Sequence, residues 1–123
     1  MANARQALGK AFIVAFKGIA FAFRHERNVK IHSLSTVLVY ATGWYFKVNR
    51  LDYLWLTSAV ALVWVTELLN TSIEQLTNLV HPEQHPTAGR VKDLAAAAVL
   101  LASIYAVTVA ILIFFPYIFS DSY

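Results

Sequence analysis

The residues best suited to do chemistry sit close together in the second half of the chain. Glu67, Asn70 and Glu74 recur at i, i+3 and i+7, a spacing that puts all three on one face of a helix. The stretch before them, residues 53–66, holds no Asp, Glu, Lys or Arg, so Glu67 lies in an apolar environment. A carboxylate inside a membrane-spanning helix costs ~2.5–3.5 kcal/mol or more near the centre and usually marks function. The competing reading makes Glu67 and Asn70 polar contacts that join helices, and position alone does not separate the two.

A second acidic residue, Glu26, adds weight to chemistry. It falls at the end of the N-terminal segment, just before the next apolar run. Brought to the depth of Glu74, it would complete a pair of hard oxygen ligands suited to magnesium, which binds carboxylates together with nucleotide phosphates. Arg27, Lys30, Arg90 and Lys92 could neutralise phosphate charge, although juxtamembrane basic residues also serve topology and anionic-lipid contact. His81 and His85 flank Pro82 and Glu83. Metal binding at i, i+4 needs a helix that Pro82 and Pro86 disfavour, so this segment reads as a solvated turn. His32 reads as an interfacial polar residue.

Some machinery is excluded. Glycine occurs only at positions 9, 18, 43 and 89, so neither a P-loop nor a glycine-rich kinase loop can be built. No serine sits in a nucleophile elbow. Cysteine is absent, which removes disulfides and thiolate metal sites. A net charge of +3 gives no reason to expect a nucleic-acid partner.

The elements that must position these groups are apolar helices. Hydrophobic residues make up 59% of the 123 and charged residues 14%, the reverse of what a small soluble domain needs at its surface. Three spans are expected, at about 31–49, 52–73 and 94–118, the last charge-free from 94 to 119 and long enough to cross ~30 Å of hydrocarbon. Pro116 lies near its end, where a break costs little. Before them, at about 4–27, Phe12, Phe16, Ile19 and Phe23 form one stripe and Lys10, Lys17 and Arg24 another. A basic face opposite an aromatic face predicts an amphipathic helix lying in the membrane interface, with Val14 and Phe21 available to pack on a neighbouring helix. The whole chain is expected to be one all-α integral membrane domain.

Eight of the ten Lys and Arg residues precede the first span or lie in the 75–93 segment. The positive-inside rule then places the N-terminus and that loop in the cytoplasm. The C-terminus with Asp121 would face outward, and Trp44, Tyr45, Tyr53, Trp55 and Tyr117 would form an outer aromatic belt. Counted from Asp52, Glu67 would lie ~22 Å inward and Glu74 ~33 Å. Glu67 would then sit near the inner boundary of the hydrocarbon and Glu74 in the headgroup layer or the cytoplasm.

The segments Glu67-Leu-Leu-Asn70-Thr-Ser-Ile-Glu74 and Gly89-Arg-Val-Lys92-Asp93-Leu-Ala-Ala-Ala-Ala-Val resemble the signature of prokaryotic diacylglycerol kinases. Phe16-Lys17-Gly18 and Glu26-Arg27-Asn28-Val-Lys30-Ile-His32 resemble the branch containing undecaprenol kinases. The resemblance runs from about residue 10 to 115. It implies a homotrimer in a bacterial cytoplasmic membrane, with active sites where neighbouring subunits meet. It implies ATP and Mg2+ as co-substrate and cofactor, and a lipid alcohol, undecaprenol or diacylglycerol, as acceptor. Position by position, Glu67 matches the catalytic base and Glu26 and Glu74 the metal-holding carboxylates. Asn70, Lys92 and Asp93 match residues lining the nucleotide site, and Glu83, Gln84 and His85 a loop near the adenosine. Asn78 departs from the family, which often has an aspartate there. Two other readings stand beside the kinase: a non-catalytic helical assembly protein, and an ion conductor with Glu67 as its relay.

Overall fold

The computed structural model describes residues 3–120, so Asp121 lies outside the described residues. Four helices follow one another: α1 Ala4–His25, α2 Arg27–Phe46, α3 Arg50–Val80 and α4 Pro86–Phe119. Each junction is short and has a local cause. The Asn3 side chain accepts from the Arg5 N–H at the start of α1, and the Glu26 N–H closes that helix on the Ala22 carbonyl at 2.8 Å. Glu26 itself is extended, with φ −110° and ψ 118°, and it alone separates α1 from α2.

At the α2–α3 junction Lys47 adopts the left-handed conformation, φ 52°. The Val48 N–H reaches back to the Gly43 carbonyl at 3.1 Å and the Lys47 N–H to that of Trp44 at 3.3 Å. This is the Schellman pattern, in which glycine usually occupies the left-handed position. Asn49 then caps α3, its side chain accepting from the Asp52 N–H at 2.8 Å.

Nothing interrupts α3 until Pro82. With 31 residues in α3 and 34 in α4, the two helices extend ~46 and ~51 Å, well beyond the hydrocarbon thickness. The loop expected over 75–93 is therefore five residues, 81–85. Pro86 starts α4 at a position where a missing N–H costs nothing, behind His85 as N-cap. The helix continues through Pro116 to Phe119.

By length and composition α1, α3 and α4 are each apolar enough to cross a membrane, and α2 is not. By that criterion alone α1, expected at the membrane surface, is as apolar as a span, and α2, expected to be one, falls short. The reason lies in composition. Lys10, Lys17 and Arg24 are too sparse to offset the surrounding Phe, Ile and Ala, while α2 is diluted by hydroxyl groups. Those hydroxyls are largely self-satisfied: Ser33, Ser35, Thr36 and Thr42 each donate to the carbonyl one turn earlier, at 2.7–2.9 Å. Such back-bonding lets Ser and Thr reside in lipid at small cost.

The helices are packed unequally. α3 and α4 form the main pair, with α2 against them and α1 making few contacts; only Ala22 of α1 is buried. Val14 and Phe21 remain exposed, so within one chain they do not find the helix they were expected to pack on. At the end near the α2–α3 turn, Val48, Leu56, Ala59, Val109, Ile113 and Phe114 form the apolar core. There the Tyr117 hydroxyl donates to Asp52 Oδ2 at 3.2 Å, tying the end of α4 to the start of α3. The opposite half of α3 carries its buried polar residues, Glu67, Asn70 and Thr71.

Candidate active site

The site is built on one face of α3 and completed by the start of α2. Glu67 is 1% exposed, and Asn70 and Thr71 are also buried. Its Oε2 lies 3.3 Å from His32 Nε2, whereas its Oε1 is buried without a hydrogen-bond partner. One turn away, the Trp64 indole N–H donates to Thr36 Oγ1 at 2.9 Å. His32 with Glu67 and Thr36 with Trp64 thus form two successive rungs between α2 and α3. Together they fix the rotation and register of the hairpin.

Further along α3, Asn70 Nδ2 donates to Glu74 Oε1 at 3.4 Å, and Asn70 Oδ1 is buried and unpartnered. The extended link between α1 and α2 brings Glu26 to this face. Burial pushes the Glu26 carboxyl above its ordinary range. The negative charges of Glu74 and then Glu67 push it the same way, and His25 opposes them. The three carboxylates therefore share one region. Among the described residues no group of three or more His, Cys, Asp or Glu is arranged as a ready metal cage. Glu26, Glu74 and the orphaned Asn70 oxygen supply hard oxygen donors, which fits a magnesium ion whose remaining ligands are water and phosphate. An all-protein metal site does not fit.

The second group of anticipated residues lies one to two turns beyond. Asn78, Glu83, Gln84, His85 and Lys92 line an open cleft of about 600 Å³ at the α3–α4 turn. Lys92 Nζ donates to Asn78 Oδ1, four residues after Glu74, and so adjoins the acidic face. His85 shapes the turn itself. Its Nδ1 accepts from the Thr87 N–H at 3.1 Å, and its ring stacks on His81 with centroids 4.9 Å apart. Asp93 is exposed and is not among the residues lining the cleft.

His32 is the functional candidate that the sequence reading passed over. A signal for it existed. Reflecting Glu67 through the turn at 47–49 lands on the first turns of α2, where Val29, His32 and Thr36 share one face at i, i+3 and i+7. Thr71, whose buried Oγ1 has no partner, carried no comparable signal.

A helical protein that holds carboxylates, an amide and a lysine at one end of membrane-length helices belongs to the class of integral membrane proteins with an embedded polar site. Residues 13–114 match the family model for prokaryotic diacylglycerol kinase, and the chain belongs to that family. It is 31% identical over 107 residues to the undecaprenol kinase of Bacillus subtilis, covering 87% of each chain. It is 33% identical over 98 residues to the diacylglycerol kinase of Escherichia coli K12, covering 80% of each. Against the diacylglycerol kinase of a Synechocystis species the identity is 37% over 100 residues, covering 80% of this chain and 57% of the other. The protein is a multi-pass membrane lipid kinase, which removes the assembly-protein and ion-conductor readings as primary functions.

Proposed function

We propose that the protein transfers the γ-phosphate of ATP to the hydroxyl of a membrane lipid alcohol at the cytoplasmic leaflet of a bacterial membrane. Undecaprenol is the favoured acceptor, with diacylglycerol the alternative. The observation that carries this reading is the Glu67 carboxylate, buried with one oxygen unpartnered and with Glu26 and Glu74 near enough for their charges to interact. Glu67 takes the hydroxyl proton as the alcohol oxygen attacks phosphorus. Burial supports that role, because a base sheltered from water faces the substrate proton without competing donors.

Glu26 and Glu74 would hold Mg2+, which when bound offsets the charge of the phosphates. Asn70 steadies the Glu74 carboxylate, and Lys92 adds a donor for a phosphate oxygen. Glu83, Gln84 and His85 border the space for the nucleoside, and the exposed Asp93 stands outside that lining. Phosphoryl transfer asks little more of a protein than positioning and charge neutralisation. In this reading α1 lies in the interface with its N-terminus cytoplasmic. Three copies associate, so that the exposed apolar faces of α1 and α4 find partners.

The test is transfer of labelled phosphate from MgATP by purified protein in mixed micelles, with undecaprenol and diacylglycerol offered in parallel. Labelled lipid phosphate is expected from wild type, with a loss of at least ~100-fold in Glu67→Gln. Wild-type turnover in that nearly isosteric variant would remove Glu67 as the base. The ratio of the two products names the acceptor.

A further inference from the structure

The two oxygens of Glu67 are in unequal environments. Oε2 faces His32 Nε2 at 3.3 Å, the only ion-pair geometry among the described residues, and Oε1 is buried with no partner at all. Such an asymmetry needs a cause, since an orphaned carboxylate oxygen in a low-dielectric interior is costly. A carboxylate left to itself would rotate about its last bond and average the two positions. The Trp64–Thr36 rung one turn away holds α2 against α3, and Thr36 also donates to the His32 carbonyl at 2.7 Å. That bond ties Thr36, and with it the Trp64 rung, to the turn of α2 that carries His32.

We infer that His32 is the positioning residue for the catalytic base: its Nε2–H holds Oε2 and leaves Oε1 as the single atom that receives the proton of the lipid hydroxyl. The inference rests on the reading of Glu67 as the base. In the transfer step the alcohol O–H bond breaks and its proton goes to Oε1. The freed oxygen pair forms the bond to the γ-phosphorus, and the bond from that phosphorus to the bridging oxygen breaks, its electrons leaving with ADP. Glu67 ends as a carboxylic acid, still accepting from His32 through Oε2, and returns its proton to water before the next turnover.

A histidine suits the position better than a stronger cation. Imidazole with its proton on Nε2 orients the carboxylate through one directed N–H. Arginine or lysine there would favour the ionised form and weaken it as a base. His32 also lines a groove of about 280 Å³ between α2, α3 and α4. That space gives a glutamine room to place its amide without displacing packed atoms.

The experiment measures kcat and KM for MgATP in His32→Leu, His32→Gln and Glu67→Gln, with thermal unfolding of each. His32→Leu is expected to lower kcat by ~10- to 100-fold with KM for MgATP within about twofold. His32→Gln, which keeps a donor at similar reach, is expected to recover most of that loss. Should the leucine variant fail to assemble, His32→Asn replaces it. Its shorter amide does not reach Glu67, and activity in Gln but not Asn supports the inference. Wild-type kcat in His32→Leu, or equal losses in Gln and in Leu or Asn tracking lost thermal stability, would overturn it. If Glu67→Gln is inactive while His32→Leu is not, only the role of His32 falls. If Glu67→Gln is active, the base and its positioning residue fall together.

Discussion

Lys92 offers the most quantitative test of how the nucleotide is held. Its ammonium donates to the amide oxygen of Asn78, a neutral acceptor, and no carboxylate among the described residues pairs with it. Its full charge thus remains for a phosphate oxygen. A hydrogen bond to a charged group contributes ~1.5–3 kcal/mol. Lys92 is only half-buried, so solvent screening favours the lower part of that range. With ~1.4 kcal/mol per decade, Lys92→Met should raise KM for MgATP by ~10- to 30-fold and change kcat less. The complementary change, Asn78→Asp, places a competing carboxylate beside the ammonium. An exposed pair contributes ~0.2–1 kcal/mol, so KM should rise by ~1.4- to 5-fold while stability rises by that same energy. The assay is initial rate against ATP concentration at saturating lipid and magnesium, paired with thermal unfolding in detergent. A KM within twofold of wild type in Lys92→Met would refute the assignment of its charge to phosphate. Unchanged KM and unfolding temperature in Asn78→Asp would show that the Lys92–Asn78 contact is not populated.

The α2–α3 hairpin and the acidic face yield two further expectations. A Cβ at Gly43 would lie 3.2 Å from the Tyr53 ring, 3.4 Å from Val48 and 3.6 Å from Leu56. Gly43→Ala should therefore stay within ~1 kcal/mol of wild type, helix propensity offsetting the crowding. Gly43→Leu should cost ~1–3 kcal/mol by overpacking in a denaturation series followed by circular dichroism; equal stability of the two variants would contradict the close approach. At Glu26 the fold favours the protonated carboxyl, whose ordinary value is 4.5. Its contribution to stability is present at low pH and is lost as pH rises through the elevated value. In metal-free protein, Glu26→Gln should accordingly melt higher than wild type at neutral pH, and the gap should close on acidification below about 4.5. Matching melting curves at neutral pH would show that no charge repulsion is stored there.

The helix bearing Glu67, Asn70 and Glu74 was legible because one periodicity governs both its apolar face and its polar residues. The apolar end of the chain was legible because 26 residues without charge admit few alternatives. The extents of α3 and α4 beyond the membrane were less so: hydropathy marks where lipid ends, whereas helices end where Pro82 and the His85 cap dictate. The partner of Glu67 was hidden because His32 reads, locally, as one more polar residue on a diluted helix. Only the register of the hairpin, set by the left-handed Lys47 and the Asn49 cap, brings it opposite the carboxylate. Asp93 illustrates the reverse. Its neighbour Lys92 turns toward the cleft, and a step of one residue rotates Asp93 by ~100° about the helix axis, a displacement that adjacency in sequence does not reveal.

The unbroken course of α3 makes it a ruler. Glu67, Glu74 and Asn78 are graduations on a single rod, separated along its axis by ~10 and ~6 Å, and no flexible joint lies between them. Changing one side chain alters one mark. Adding or removing one residue between Glu67 and Glu74 would swing every later mark by ~100° and move Glu74 and the cleft together out of alignment with the base. This interval can therefore drift by substitution while remaining closed to insertion and deletion. Tuning toward one lipid or another has to come from the surrounding helices, whose fit to the rod is not a matter of counting.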